Sequence, residues 1–139
     1  MKLLADTGAL LALFNPHDQL HRPAKRFVEH ARDVRFVLTE LIVNETVTRL
    51  RSQLDAARAA DVGVALLHSR RYEVMFVDAR LMDVGLGMLR RFADKRLSLT
   101  DAVSFAVIRD LALDGAFAFD RDFRNCGFAM HPRPDASTP

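Results

Sequence analysis

An α/β fold built on a parallel sheet is the class this sequence predicts, and three observations predict it. Short apolar runs alternate along the chain with longer helical stretches. Within those stretches apolar residues recur three and four apart, which puts them on one helix face. Two of the apolar runs, Lys2-Leu-Leu-Ala5 and Ala116-Phe-Ala-Phe119, end directly on an aspartate. Sheets of this kind bind ligands beyond the carboxyl ends of their strands, near the point where the strand order reverses.

The elements follow in order. A strand is predicted over 2–5 and a short helix over 8–14, broken by Asn15-Pro16. A helix over 22–31 carries Pro23 in its first turn and Ala24, Phe27 and Val28 on one face. A strand over 35–38 leads to Thr39, an N-cap for a helix running to about 51. A helix over 55–69, a strand over 72–77 and a long helix over 79–94 come next. Ser98 then precedes a helix to about 113. Strands over 115–119 and 128–131 close the pattern. The segment 132–139 holds three of the five prolines and is expected to be an unstructured tail.

The 139 residues fit one domain, 1–131, with a sizeable core. A hydrophobic fraction of 50% and a charged fraction of 27% are ordinary for a soluble protein. The balance of 20 Lys+Arg against 18 Asp+Glu does not by itself indicate nucleic acid. The single Cys126 excludes an internal disulfide and a cysteine-rich zinc site, and fits a reducing compartment. No apolar run is long enough to span a bilayer, and Asp6 interrupts the only stretch that resembles a signal peptide. A cytoplasmic protein is expected.

Four acids stand where apolar residues belong. Asp6 and Asp120 end strands, Glu45 shares a helix face with Leu41 and Ile42, and Asp101 shares a stripe with Phe105 and Ile108. Each has a plainer explanation. Asp6 and Asp120 could cap helices or turns. Glu45 could pair with Arg49. Asp101 completes Ser98-Leu-Thr-Asp, a capping box with Asp for Glu. Their joint layout is the stronger signal, because gathered carboxylates repel and a divalent cation relieves that repulsion. Oxygen-only ligands suit Mg²⁺ or Mn²⁺ rather than zinc. Asp122 is a further candidate ligand or supporting acid.

With those residues in view, the chain resembles the PIN-domain ribonucleases, and among them the VapC-type toxins of bacterial toxin–antitoxin pairs. The matching pieces are Leu3-Leu-Ala-Asp-Thr-Gly-Ala-Leu10, Thr39-Glu-Leu-Ile-Val-Asn-Glu-Thr46, Leu97-Ser-Leu-Thr-Asp-Ala-Val-Ser-Phe105 and Ala118-Phe-Asp-Arg-Asp-Phe123. The resemblance implies a five-stranded parallel sheet with helices on both faces. It implies a metal pocket with Asp6, Glu45, Asp101 and Asp120 at the acidic positions, helped by Thr7, Thr100 and Asn44. It also implies hydrolysis of RNA phosphodiester bonds by metal-activated water, a homodimer and a cognate antitoxin. A housekeeping RNA-processing nuclease and a non-catalytic binding protein on the same fold are the alternatives.

Other signals are weaker. Arg121 and Arg124 flank the proposed pocket and are the best candidates for RNA contact, ahead of the basic clusters at 22–26 and 90–96. His17 and His21 have helical metal-pair spacing but are expected to precede the helix and to be solvated. Gly85 and Gly87 weaken a predicted helix, which suggests close packing or a kink. A haloacid-dehalogenase-like phosphatase, suggested by Asp120-Arg-Asp122, is excluded because no lysine follows Lys95. A phospho-receiver domain is excluded because it needs adjacent acids after the first strand.

Overall fold

The computed structural model describes residues 1–134. Its strands are β1 (Lys2–Ala5), β2 (Arg35–Thr39), β3 (Tyr72–Met75), β4 (Ala116–Phe117) and β5 (Met130–His131). Its helices are α1 (Thr7–Phe14), α2 (His21–His30), α3 (Glu40–Gln53), α4 (Ala56–His68), α5 (Ala79–Arg91), α6 (Leu99–Asp110) and α7 (Arg121–Asn125). The strands form one sheet in the order β3-β2-β1-β4-β5, and every pairing is parallel. The chain steps outward from β1 to β3, then returns to place β4 on the other side of β1. The order therefore reverses between β1 and β4.

Both sheet faces are covered. Leu3 and Leu4 point to opposite sides of the pleat, and both are wholly buried. The core continues through Phe36, Phe105, Phe117 and Phe123, all buried. Phe105 packs edge-on against Phe123 at 4.9 Å and stacks on Phe128 at 5.0 Å. That aromatic cluster fixes α7 against α6.

Several boundaries differ from the sequence reading. β3 stops at Met75 rather than 77, because β2 ends opposite it and turns into α3. The next amide, that of Val77, is instead taken by Glu40, whose two oxygens accept from it at 2.9 Å. Glu40 thus pins the end of β3 to the start of α3. β4 is shorter than 115–119, since β1 and β5 offer only two partners each. α6 ends at Asp110 rather than 113. Its carbonyls of Ile108 and Arg109 accept from Leu113 and Ala112, with Ala112 at φ 48°. That is a Schellman closure with alanine where glycine is usual. α5 likewise ends at Arg91 rather than 94. α7 stands where the sequence pattern assigns no element, because five residues are too few to show a helical period.

Gly85 is where α5 meets α6. A Cβ there would sit 2.6 Å from Val103 Cγ2, so close packing explains this glycine. Nothing lies within 4 Å of a Cβ at Gly87, and packing does not explain that one. Pro132–Pro134, from the expected tail, line a surface hollow. The rest of that tail lies outside the described residues.

Candidate active site

Asp6 and Asp120 stand at the carboxyl ends of the adjacent strands β1 and β4, where the strand order reverses, and Asp101, at the start of α6, feels the charge of Asp120 and acts on Asp6. β1 delivers Asp6 to the N-terminus of α1. Its side chain makes no capping hydrogen bond, although the amides of Thr7 and Gly8 still favour its charge. Asp6 thus occupies the N-cap position of α1, but capping alone does not call for a carboxylate buried this deeply. Only 5% of the residue is exposed. Burial first, then the charges of Asp101 and Asp120, push its pKa from 3.8 to about 7.

Asp101 does serve as a cap. Its Oδ2 accepts from the Ser98 amide at 3.1 Å, while Ser98 Oγ accepts from the Asp101 amide at 3.0 Å. The capping box sets the side chain at the start of α6 and leaves Oδ1 outside those bonds. Burial raises its pKa, the Ser98 hydrogen bonds oppose that, and the charges of Asp120 and Glu45 raise it further. Asp120 caps α7 by accepting from the Asp122 amide at 2.9 Å, and it is exposed.

Glu45 has a divided role. It pairs with Arg49 at 3.5 Å, as the plainer reading expected. Its charge nevertheless reaches Asp101, so it borders the same site. Thr7 is buried, and its hydroxyl has no hydrogen-bond partner. An orphaned buried hydroxyl beside a crowded carboxylate is the feature expected where a ligand or water completes the site. Thr100 is half-buried and Asn44 is exposed. Asp122 is half-buried, and its amide donates to the Asp120 carboxylate.

The donor set fits a hard divalent cation: oxygen atoms only, with repulsion that a cation would relieve. Among the described residues, however, no three acids or histidines stand close enough together to hold an ion as they are. Cation binding would have to draw Asp120 and Glu45 inward, towards the fixed Asp6 and Asp101. The exposed position of Asp120 and the half-buried one of Glu45 leave them room to move. His17 and His21 form no metal pair. His21 Nδ1 lies 2.9 Å from the Ala12 carbonyl oxygen, and His17 is exposed.

Beside Asp120 lies a hollow of about 660 Å³ between α2, α7 and residues 130–134. Arg121 and Arg124 line it, together with Phe119 and Arg26. The sequence reading named the basic residues but not the hollow. Its walls come from segments a hundred residues apart, and no local signal connects them.

An open parallel sheet with carboxylates at its switch point defines the class: an α/β protein whose site lies beyond the strand ends. The PIN domain family profile matches residues 3–129. The chain is 33% identical over 133 residues to the 23S rRNA-specific endonuclease VapC20 of Mycobacterium tuberculosis, covering 96% of this chain and 99% of that protein. The crystal structure of M. tuberculosis VapC20, a sarcin–ricin loop cleaving toxin, superposes with a TM-score of 0.84 at 30% identity, over 91% of this chain and 95% of that one. VapBC2 from Rickettsia felis, bound to a promoter DNA fragment, shares the fold at 10% identity with a TM-score of 0.70, over 94% and 98% of the two chains. The chain belongs to the PIN domain family, and within it to the VapC type.

Proposed function

We propose that this protein is a ribonuclease that hydrolyses RNA phosphodiester bonds and acts as the toxin of a toxin–antitoxin pair. The observation that carries the reading is the mutual repulsion of Asp6, Asp101 and Asp120 at the switch point of a PIN fold. The N-cap position does not by itself account for Asp6, which is buried and pushed to about pKa 7.

Mg²⁺ or Mn²⁺ is the proposed cofactor, held by Asp6, Asp101 and Asp120 with Glu45 at the rim. Such a cation, when bound, lowers the pKa of a water nucleophile and offsets charge on the scissile phosphate. The protein's own residues do the rest. Asp6 is fixed by β1 and the α1 terminus, and Asp101 by its capping box, so neither must be ordered when substrate arrives. Glu45 stands at the rim, half exposed, where it can accept a proton. Thr7 offers a hydroxyl from within the buried wall.

The substrate class proposed is a structured ribosomal RNA loop, since the M. tuberculosis relative is named for 23S rRNA and its crystal structure for cleavage of the sarcin–ricin loop. A neutralising antitoxin is the proposed protein partner, as expected for a relative described as a toxin. A homodimer is also proposed, as the resemblance to VapC-type toxins implies. The buried free thiol of Cys126 supports a reducing, cytoplasmic location. Among the described residues no helix is long and apolar enough to cross a membrane.

The test is cleavage of purified ribosomes, total RNA and isolated rRNA loops, with Mg²⁺ or Mn²⁺, with chelator, and beside an Asp101→Asn variant. Discrete fragments that require both the cation and Asp101 are expected. Cleavage by the variant at the wild-type rate would overturn the reading.

A further inference from the structure

The hollow beside Asp120 is not explained by the carboxylate site. Its floor is apolar and partly aromatic, with Phe27, Phe119 and Met130. Arg26, Arg124 and Arg133 stand on its rim, all exposed. No acid is among the described residues that line it. A volume of about 660 Å³ lies within the range of small-ligand sites. Phe119 immediately precedes Asp120, so the floor of the hollow and the carboxylate cluster meet at one peptide bond.

We propose that this hollow is a nucleotide subsite, which takes one unstacked base of the RNA beside the scissile phosphate. The inference rests on the ribonuclease reading for its setting. Proteins that read RNA loops take bases out of the stack, lay them on aromatic rings and hold the flanking phosphates with arginine. The hollow offers both parts. The Phe119 ring is half-buried and held edge-on by Phe117 at 6.2 Å, so its position is set before any base arrives. The guanidinium groups of Arg26 and Arg124 come from different elements, α2 and α7, and provide charge on two sides. An anionic nucleotide suits this lining, which carries arginines and, among the described residues, no acid.

The chemistry sets the preference over a protein occupant. An antitoxin segment would also enter an apolar hollow, but it needs no planar aromatic wall. The test separates the two. Protein labelled at the methionine methyls is titrated with each of the four nucleoside 5′-monophosphates, with ribose 5-phosphate, with inorganic phosphate and with an acidic amphipathic peptide.

Saturable shifts of the Met130 methyl with nucleotides, much larger than with ribose 5-phosphate, are expected. Arg26→Ala with Arg124→Ala, and Phe119→Leu separately, weaken the nucleotide response by about tenfold each. Phe119→Tyr restores it, and Arg58→Ala on α4 leaves it unchanged. A response to the peptide but not to nucleotides would overturn the proposal, as would equal responses to nucleotide and ribose 5-phosphate. The titration needs no cleavage. Nucleotide binding in a protein that cuts no RNA would sink the nuclease reading alone, and cleavage without nucleotide binding would sink the subsite alone.

Discussion

Asp6 is the residue on which the physical account bears most heavily. Its pKa of about 7, against an ordinary 3.8, means that the folded protein holds a proton there that the unfolded chain releases. Stability in chelator therefore falls as pH rises from 3.8 to about 7, and the full penalty remains above that window. At about 1.4 kcal/mol per pKa unit, the penalty is on the order of 4 kcal/mol. Asp6→Asn should recover much of it at pH 8 and little at pH 4. Urea unfolding of both proteins across that range checks this, and parallel stability curves would contradict it. Asp101→Asn keeps an oxygen for the Ser98 amide, so it should cost less than about 1 kcal/mol of stability. Cleavage should nonetheless fall at least about 100-fold, because about 2.7 kcal/mol of transition-state stabilisation is a modest share of what a metal site supplies.

At the scale of elements, α5 and α6 carry paired predictions. Gly85→Ala forces a methyl to within 2.6 Å of Val103 Cγ2, and two further Val103 atoms lie at 3.4 Å. Overpacking of this kind costs about 1–3 kcal/mol. It should also lower cleavage, since Val103 lies two residues after Asp101 on α6. Gly87→Ala meets nothing and should stabilise the helix by up to about 1 kcal/mol. Thermal unfolding of the two variants distinguishes packing from propensity as the reason for each glycine. At the other end of α6, Ala112 sits at φ 48° and closes the helix. Ala112→Gly should be neutral or stabilising by up to about 1 kcal/mol, relief of the left-handed alanine being partly offset by a freer unfolded chain.

Element type was legible in the sequence almost everywhere, since apolar period and caps such as Thr39 and Ser98 act locally. Ends were less so, because they depend on partners: β3 stops where β2 turns into α3, and α6 stops on a Schellman closure. The short α7 left no periodic trace. It is nevertheless the element that presents Asp120, through Phe123 packed on Phe105.

For the whole molecule, the parallel sheet and its ligand-binding end followed from alternation alone, but strand order did not. Positions 6, 45, 101 and 120 carry no distance information, so their convergence was argued from chemistry and from resemblance. The fold places β4 beside β1, which brings Asp6 and Asp120 to neighbouring strand ends. The hollow lined by α2, α7 and residues 130–134 was invisible in the sequence for the same reason. The central claim is that Asp6, Glu45, Asp101 and Asp120 act together on one divalent cation, although they stand apart without it. Calorimetric titration of Mn²⁺ into the wild-type protein and into the Asp6→Asn, Glu45→Gln, Asp101→Asn and Asp120→Asn variants tests this most directly. The account predicts saturable binding that each aspartate variant weakens by about tenfold or more, with a smaller loss for Glu45→Gln. Binding that is undisturbed in the aspartate variants, or absent from the wild-type protein, would contradict it.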